Sequence, residues 1–374
     1  MSMDDPEVRV LVVNAGSSTL KLAVLDDGST PVVERTIDPW DGEDTSEIGE
    51  VLAAATGGPI DAVGHRVVHG GPDLRQAVLI DDEVAARLQE LVELAPLHQA
   101  RSLQGISAVR RVLPSTPAVA CFDTTFHTTL AAAASTYAVP EAWRDRWPIR
   151  RYGFHGLSHA YAVGRAGELG AGPRVVSCHL GSGASLCASR DGRAVDTTMG
   201  FTPLEGLVMA TRSGTVDPGL VLWLVRVGGL AAEEVEQGLE NRAGLAGLGG
   251  GSGDMRELLA AVDDGDDRAM LALDVYVHRL RRELGAMSGV LSGLDVLVFT
   301  GGIGEGSAVV RARATAELGY LGVAIDPAAN QAASGDADIT ASGAPARTLV
   351  VTAREDLEIA HQTRAAIRGG PARS

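Results

Sequence analysis

The sequence predicts an α/β protein whose central sheets are mainly parallel and whose domain is duplicated. Short apolar strands alternate with amphipathic helices along the 374 residues, and this alternation is typical of α/β folds. Two stretches, starting near residues 9 and 174, share one layout: an apolar strand, a Gly/Ser turn, a second strand and an Asp-Gly turn. The length suffices for two domains of roughly 150–200 residues each.

The first half begins with a predicted β-hairpin. Residues 9–13 form an apolar run that ends in a turn at 14–18, and an alternating strand starts at Leu20. A helix is predicted over 82–94, where apolar residues recur at helical spacing, and a strand over 117–122.

The second half starts with a similar strand over 174–178, followed by a turn over 179–185. An amphipathic helix is predicted over 266–291 and a very apolar strand over 294–299. The segment 326–345, rich in Ala, Ser, Gly, Asp and Pro, predicts a surface connection.

Composition excludes several classes of function. The 32 basic and 48 acidic residues leave a net charge of −16, which argues against a general nucleic-acid or anionic-membrane surface. The acidic N-terminus does not look like a secretory signal, and no apolar run of about 18 residues predicts a membrane span. Three cysteines without a CxxC pair predict thiols rather than disulfides, so we expect a cytoplasmic protein.

Three Gly/Ser turns follow apolar strands, at 14–19, 179–185 and 300–307. Such turns expose backbone N–H groups that can bind phosphate. Together they predict a nucleotide held between two domains. The chain lacks both the GxxxxGK(S/T) pattern and a GxGxxG fingerprint after its first strand, which disfavours a P-loop site and a dehydrogenase.

Basic residues stand in unusual surroundings at three positions. Lys21 is the only lysine of the chain, which suggests a site for a compact ammonium or else a chance survivor. Arg66 and Arg212 lie among apolar and Gly-rich residues. A guanidinium there can bind a carboxylate or a transferring phosphoryl group, and the alternative is a buried ion pair.

His155 and His159 are four residues apart, a spacing compatible with metal ligation. Gly153 and Gly156 argue against a helix starting there. A hydrogen-bonding or charge-stabilising histidine is therefore the preferred functional interpretation of His155, and a core histidine is the alternative.

The motifs resemble the acetate kinase family, within the superfamily of acetate and sugar kinases, heat-shock chaperones and actin. The resemblance runs in order from about residue 9 to 365 and rests on VNAGSSTLK, GHRVVHGG, APLHQ, FDTTFHTTL, RRYGFHGLSHAY, HLGSGAS, VDTTMGFTPLEGLVMATRSGTVDPG, GDMREL, VFTGGIGEGS and EDLEIA. It implies two duplicated ribonuclease-H-like (actin-like ATPase) domains with a nucleotide cleft between them. The implied domains are 1–127 with the returning 356–374, and 128–355, the nucleotide-binding and dimerisation domain of a homodimer.

The resemblance also implies the roles of the site residues. Phosphoryl transfer would use Arg66, Asp123, His155 and Arg212. ATP would be bound by Asn14, Ser17, Thr19, Lys21, His179, Gly181, Ser182, Gly183, Asp254, Met255, Arg256, Gly302, Ile303, Gly304 and Gly306. The acetate pocket would be lined by Val68, Leu97, Phe154 and Pro203. Mg²⁺, for which Mn²⁺ can substitute, would be held by Asn14 and Glu355, with Asp123 helping to organise it.

The chain departs from the family pattern at four places. Ser182 and Gly306 stand where the family usually has Asn, Leu157 stands where it has Thr, and the stretch 29–60 is shorter than usual. The first two changes remove amide groups near the expected nucleotide and so bear on the choice of phosphoryl donor, whereas the catalytic arginines and His155 match the family pattern.

The implied reaction is reversible, direct in-line transfer of the γ-phosphoryl group of ATP to acetate, giving acetyl phosphate and ADP. Acetate is already a carboxylate at neutral pH, so no general base is needed. Two alternatives stay open: a propionate or butyrate kinase of the same family, and a non-catalytic nucleotide switch of the actin or chaperone type.

Overall fold

The computed structural model describes residues 8–16, 19–94 and 96–369, apart from the side chains of residues 94–98. The chain divides into two compact units. Unit 1 combines the residues up to Thr128 with the segment that starts at Arg354, and unit 2 is Thr129–Ala353.

Unit 1 is built on a six-stranded sheet. Its strands are β1 (Val10–Ala15), β2 (Leu20–Leu25), β3 (Val33–Ile37), β4 (Ala62–Val67), β5 (Val78–Leu79) and β6 (Ala118–Phe122). The helices within this part of the chain are α1 (Ser46–Ala54), α2 (Asp82–Glu90) and α3 (Pro96–Val112), with 3-10 turns at Leu91–Leu94 and Thr125–Thr129.

Unit 2 also contains a six-stranded sheet. Its strands are β7 (Arg174–Leu180), β8 (Ala184–Arg190), β9 (Arg193–Thr197), β10 (Val296–Thr300), β11 (Ala337–Asp338) and β12 (Arg347–Val350). Its helices are α4 (Ala132–Ser135), α5 (Glu141–Arg146), α6 (Gly156–Glu168), α7 (Pro218–Arg226), α8 (Ala232–Asn241), α9 (Gly244–Gly249), α10 (Met255–Asp263), α11 (Asp267–Val290), α12 (Gly301–Gly306), α13 (Ala308–Thr315) and α14 (Pro327–Ala332), with a 3-10 turn at Gly319–Leu321.

The last described helix, α15 (Glu355–Ile367), packs on β1, β4 and β6 of the unit 1 sheet. Gly64 makes this close contact possible. A Cβ atom at Gly64 would stand 2.7 Å from Cγ2 of Ile359 and would also clash with Oγ1 of Thr363. Glycine therefore lets the helix approach the strand closely enough to bury its apolar face.

The two sheets have the same topology. The first has the order β3-β2-β1-β4-β6-β5 and the second β9-β8-β7-β10-β12-β11. In each, the first three strands form an antiparallel meander, two parallel pairs follow, and the strand at the far edge is antiparallel. The predicted duplication is confirmed. The expectation of mainly parallel sheets is wrong: both are mixed, because each starts with hairpins.

Local sequence explains where many of the helices begin. An Asp side chain caps the N-terminus of five helices by accepting a backbone N–H of the first turn; these residues are Asp81, Asp217, Asp254, Asp266 and Asp326. Strand β10 lies between two parallel strands and all five of its residues are buried, which accounts for its continuous apolar sequence.

Some local predictions differ from the structure, and others agree with it. The segment 326–345 is not only a connection, because it contains α14 and β11. The glycines around His155 do not prevent a helix: α6 starts at Gly156, and His155 precedes it in a left-handed conformation with φ 56°. The three cysteines are buried free thiols, as predicted. In the described ranges, no helix is long and apolar enough to cross a membrane.

Candidate active site

Four residues that the sequence marks for phosphoryl transfer or metal binding form a cluster in unit 1: Asn14, Arg66, Asp123 and Glu355. Asn14 lies in β1, Arg66 in β4, and Asp123 directly follows β6. These three strands are parallel neighbours, so their carboxyl ends meet at one edge of the sheet, where α/β proteins commonly bind ligands. Glu355 is the first residue of α15.

Hydrogen bonds connect the four side chains in a row. The Arg66 guanidinium donates from Nη2 to Oδ2 of Asp123 at 2.6 Å and from Nε to both carboxylate oxygens at 3.2 Å. Its Nη1 donates to Oδ1 of Asn14 at 3.2 Å. The Asn14 amide in turn donates to Oε2 of Glu355 at 3.1 Å. Each group thereby orients the next.

The ion pair between Arg66 and Asp123 is largely buried. The Arg66 side chain is 18% exposed and that of Asp123 only 2%. Burial acts to lower the pKa of Arg66, but the charges of Asp123 and Glu355 outweigh it and raise this pKa above its usual value. Burial raises the pKa of Asp123, whereas Arg66 opposes that shift. Each charge therefore depends on its partner.

Asn14 and Glu355 are suited to Mg²⁺, which takes oxygen ligands and usually needs only one or two carboxylates beside water and phosphate oxygens. The only hydrogen bond that Glu355 accepts within the described part of the chain is the one from Asn14, at Oε2. Asp123, in contrast, has both oxygens engaged by Arg66, so its direct part is to hold the guanidinium. Among the described residues, no group of three or more His, Cys, Asp or Glu could hold a metal ion.

The other predicted phosphate-binding residues of unit 1 lie on the first hairpin. Lys21 is exposed on β2 and pairs in register with Asn14 on β1, so both side chains project from the same face of the sheet. The carbonyl of Thr19 accepts the N–H of Gly16 at 2.8 Å and closes the turn. Ser17 lies outside the described residues.

In unit 2, three histidines lie close together, each in contact with a serine. His155 Nδ1 and His159 Nε2 lie 2.9 and 2.8 Å from the hydroxyl of Ser185. His179 Nδ1 lies 2.7 Å from the hydroxyl of Ser158. The rings of His155 and His179 stack at a tilt, with centroids 4.4 Å apart. The predicted His155 and His179 are thus brought together.

Both of these rings point their second nitrogen toward the glycine turn at 181–183. A Cβ atom on Gly183 would lie 3.1 Å from Nε2 of His155 and 3.8 Å from Nη1 of Arg212. One on Gly181 would lie 3.8 Å from Nε2 of His179. An imidazole and a guanidinium therefore border a turn whose backbone N–H groups carry no side-chain obstruction, which is suitable for an oxyanion.

The loop that carries Arg212 is held at several points. Arg212 donates from Nη1 to the carbonyl of Pro203 at 3.0 Å. Glu205, two residues after Pro203, accepts hydrogen bonds from Arg151 at 2.7 Å and from the hydroxyl of Tyr137. These contacts fix both the guanidinium and the predicted pocket residue Pro203.

The segments expected to bind adenosine border the same turn. The carbonyl of Ser182 accepts the N–H of Ala210 at 3.0 Å, and Gly253 packs against the Ala210 carbonyl with φ 83°. Gly301, at the start of α12, packs on the Leu180 backbone, where its Cβ would be 2.9 Å from the carbonyl oxygen. Unit 2 therefore brings the GDMR motif and two of the three Gly/Ser turns side by side.

Individual residues of these segments differ in exposure. Asp254 caps α10 and pairs with the exposed Arg256 at 2.7 Å, whereas the Met255 side chain is buried. On α12, Gly302 and Gly306 are exposed, Ile303 is half-buried and Gly304 is buried. The Met255 side chain therefore packs in the core and is not available to a ligand.

The four residues predicted for the acetate pocket are distributed over both units. Val68 is buried directly after β4 in unit 1. Leu97 lies on α3, and its side chain is outside the described part. In unit 2, Phe154 is buried beside His155, and Pro203 is half-buried.

Sequence reasoning missed the polar partners that hold the histidines and the Arg212 loop. Ser158, Ser177 and Ser185 are all buried, and a buried hydroxyl needs a hydrogen-bond partner. Ser177 and Ser185 each stand between apolar residues on buried strands, which was the available signal. The contact between Tyr137 and Glu205 spans 68 residues and had no local signal.

The chain is similar in sequence to known proteins. The model of the acetokinase family matches residues 45–361. An acetate kinase of Gloeobacter violaceus is 43% identical over 399 aligned positions, covering 95% of this chain and 98% of that protein. The chain belongs to the acetokinase family. The family resemblance seen in the motifs is confirmed, and with it a kinase that uses ATP, so the interpretation as a non-catalytic nucleotide switch is wrong.

Solved structures agree with this assignment. The structure of Porphyromonas gingivalis acetate kinase matches with a TM-score of 0.87 and 33% identity, over 96% of this chain and 100% of that one. A propionate kinase from Francisella tularensis matches with a TM-score of 0.87 and 32% identity, over 96% and 99% of the two chains. Backbone similarity therefore does not distinguish the two acceptors.

Proposed function

We propose that this acetokinase-family member transfers the γ-phosphoryl group of ATP to acetate, reversibly and in one in-line step. The observation that carries the proposal is the convergence of His155 Nε2 and the Arg212 guanidinium on Gly183 in unit 2. Donors placed beside an unobstructed turn can stabilise the negative charge that spreads over the equatorial oxygens of a transferring phosphoryl group.

In this mechanism the protein binds and orients rather than forming a covalent intermediate. An acetate oxygen forms the new bond to γ-phosphorus while the bond to the ADP oxygen breaks, so no proton has to be removed from the acceptor. Arg66, held by Asp123 and Asn14, offers a planar pair of N–H groups to the carboxylate or the phosphoryl oxygens. Arg212 and His155, which border one glycine turn of unit 2, act on phosphoryl oxygens.

We further propose that Mg²⁺ is held through Glu355 and Asn14. When bound, the ion neutralises charge on the phosphate oxygens. The Asn14 amide keeps Glu355 in place at 3.1 Å, and the same residue contacts Arg66, so metal and arginine would be positioned together.

Acetate is the acceptor we expect, because relatives named acetate kinase match nearly the whole chain at 38–43% identity. Val68 and Phe154 are compact, buried candidates for limiting the size of the acyl group. The similar fold of a propionate kinase makes propionate the second candidate.

Trapping of acyl phosphates with hydroxylamine, using acetate, propionate and butyrate in parallel, tests the acceptor. We expect the highest kcat/KM with acetate and negligible ATP turnover when no carboxylic acid is present. Higher kcat/KM with propionate would reassign the substrate. Equal turnover with water or a sugar would refute carboxylate phosphorylation altogether.

We also propose a homodimer that associates through α7. Its exposed apolar side chains, together with those of the loop after it, form a surface that water does not favour; they are Leu220, Leu222, Trp223, Val225, Val227 and Leu230. Light scattering should give twice the mass of the chain, and Trp223→Glu should give the monomer. A monomeric parent protein would contradict this proposal.

A cytoplasmic location completes the proposal. It is supported by the three free thiols, which are typical of reducing compartments.

A further inference from the structure

A buried chain of alternating serines and histidines leads away from His155 in unit 2. Nδ1 of His155 is 2.9 Å from the Ser185 hydroxyl, which is 2.8 Å from Nε2 of His159. Nδ1 of His159 is 2.8 Å from the Ser177 hydroxyl, and this hydroxyl donates to the carbonyl of Cys187 at 3.4 Å. The chain therefore ends at a backbone acceptor.

We propose that Ser177, His159 and Ser185 are positioning residues that keep a proton on Nδ1 of His155, so that His155 gains and loses its proton at Nε2. This inference rests on the proposed role of His155 at the phosphoryl group. It adds three residues that act on the reaction through that ring.

The direction of each hydrogen bond follows from the carbonyl at the end of the chain. A carbonyl only accepts, so the Ser177 proton points to Cys187 and the Ser177 oxygen accepts the N–H at Nδ1 of His159. A neutral histidine with a proton on Nδ1 has a lone pair on Nε2, which accepts the Ser185 proton. The Ser185 oxygen then accepts the N–H at Nδ1 of His155.

A proton on Nδ1 of His155 determines what Nε2, the nitrogen that faces Gly183, can offer to a ligand. With Nδ1 occupied by its proton, Nε2 of neutral His155 carries a lone pair, which would repel a phosphoryl oxygen. Only the imidazolium can donate there, and it does so without disturbing the bond to Ser185. The chain thus keeps the same ring face and nitrogen in place in both charge states.

Burial and backbone geometry make this arrangement specific. Ser177, Ser185 and His159 are each 0% exposed, so water cannot easily replace a lost partner. His155 itself has a left-handed backbone, φ 56° and ψ 24°, which few residues adopt without support. Titratable or charged groups near the ring include His179, stacked on it, and Arg212, across Gly183.

The first test observes the proton directly, by ¹⁵N NMR of the ¹⁵N-histidine-labelled protein. The His155 signals are assigned by their loss in His155→Gln. We expect neutral His155 to be the Nδ1–H tautomer in the parent protein, whereas free histidine favours Nε2–H. Ser185→Ala and Ser177→Ala should each raise the Nε2–H population. An Nε2–H tautomer in the parent, or one unchanged by either variant, would overturn the proposal.

A matched control separates this effect from a general response to losing a buried hydroxyl. Ser189 lies on β8, as Ser185 does, is also 0% exposed, and donates to the backbone carbonyl of Val175 at 3.4 Å. Ser189→Ala should leave the His155 tautomer and kcat at parent values. Melting temperatures show whether each of the three variants is folded. If Ser185→Ala does not fold, Ser177→Ala takes its place in the comparison.

Kinetics provide the second test. Ser185→Ala should lower kcat by about 10- to 100-fold, by analogy with the loss seen when a partner that orients a metal-binding histidine is removed, with little change in KM for ATP. In a His155→Ala background the same change should cost nothing further, because the residue acts only through the ring. An additive loss would refute the chain. If His155→Ala itself retains parent kcat, the proposed role of His155 fails instead.

Discussion

Replacing Arg66 by Ala should affect both stability and catalysis, because the structure places this residue in a buried ion pair. The variant leaves the carboxylate of Asp123, 2% exposed and bonded to Arg66 at 2.6 Å, without its partner. Breaking a buried pair by removing one charge costs about 3–5 kcal/mol of unfolding free energy. With an unfolding entropy of about 2.1 cal/mol/K per residue, that lowers the melting temperature of a chain of this size by about 4–6 °C. The folded fraction should also lose roughly 10³-fold in kcat.

The pH dependence of this loss has a definite sign. Burial raises the pKa of Asp123, and Arg66 opposes the shift, so in Arg66→Ala the pKa in the folded state should lie well above its value in the unfolded chain. Folding then favours the protonated carboxyl. The stability deficit should shrink as pH falls through the raised folded-state pKa, and stop changing below the unfolded value.

Calorimetry and urea unfolding of Arg66→Ala, measured at several pH values, check both statements. The double variant Arg66→Ala/Asp123→Asn should regain much of the lost stability, since it removes the unpaired charge. Arg212→Ala is the comparison for catalysis: Arg212 donates to the Pro203 carbonyl and to the Met209 sulfur, and we expect a similar loss of kcat. A melting temperature of Arg66→Ala equal to that of the parent would refute the argument.

Three further predictions follow from buried positions. Gly183→Ala should lower kcat with little loss of stability, because the new Cβ would lie 3.1 Å from Nε2 of His155 and displace the ring; unchanged kcat would show that the turn is not at the reacting group. Val68→Ala should shift kcat/KM toward propionate by about 1–3 kcal/mol per methylene, as measured by competing acyl acceptors, and unchanged selectivity would exclude Val68 from the pocket. Burial raises the pKa of the Cys121 thiol to about 12, so iodoacetamide should alkylate Cys121 rapidly only in urea; fast labelling of the native protein would contradict its burial.

The predicted elements with a strong local pattern agree with the structure. The hairpin of β1 and β2, the strand β10 and the long helix α11 each follow from periodicity and from turn or cap residues within the element. The segment 326–345 was misjudged because α14 is a single short helix of six residues, for which Asp326 and Pro327 are the main signal. The antiparallel hairpin pairs follow from the local sequence. The parallel pairs of β1 with β4 and of β7 with β10 join strands far apart along the chain, and so the full strand order could not be predicted.

By itself, the sequence determined the family, because the motifs and their order are a property of the chain alone. Through the family resemblance it also singled out Arg66, Asp123, His155 and Arg212. Only the tertiary structure decided what these side chains contact. The catalytic and ion-pair interpretations of Arg66 were alternatives in the sequence, and the structure shows the pair with Asp123, 57 residues away.

The partners of His155 were decided in the same way. Ser185, 30 residues away, and His159 through it meet the ring because α6 packs on β7, to which β8 is paired. Hydrogen bonds act over about 3 Å, and residues far apart in sequence come within that distance only once strands and helices have packed. The sequence thus specified which side chains are present, and the packing specified which of them form hydrogen bonds with one another.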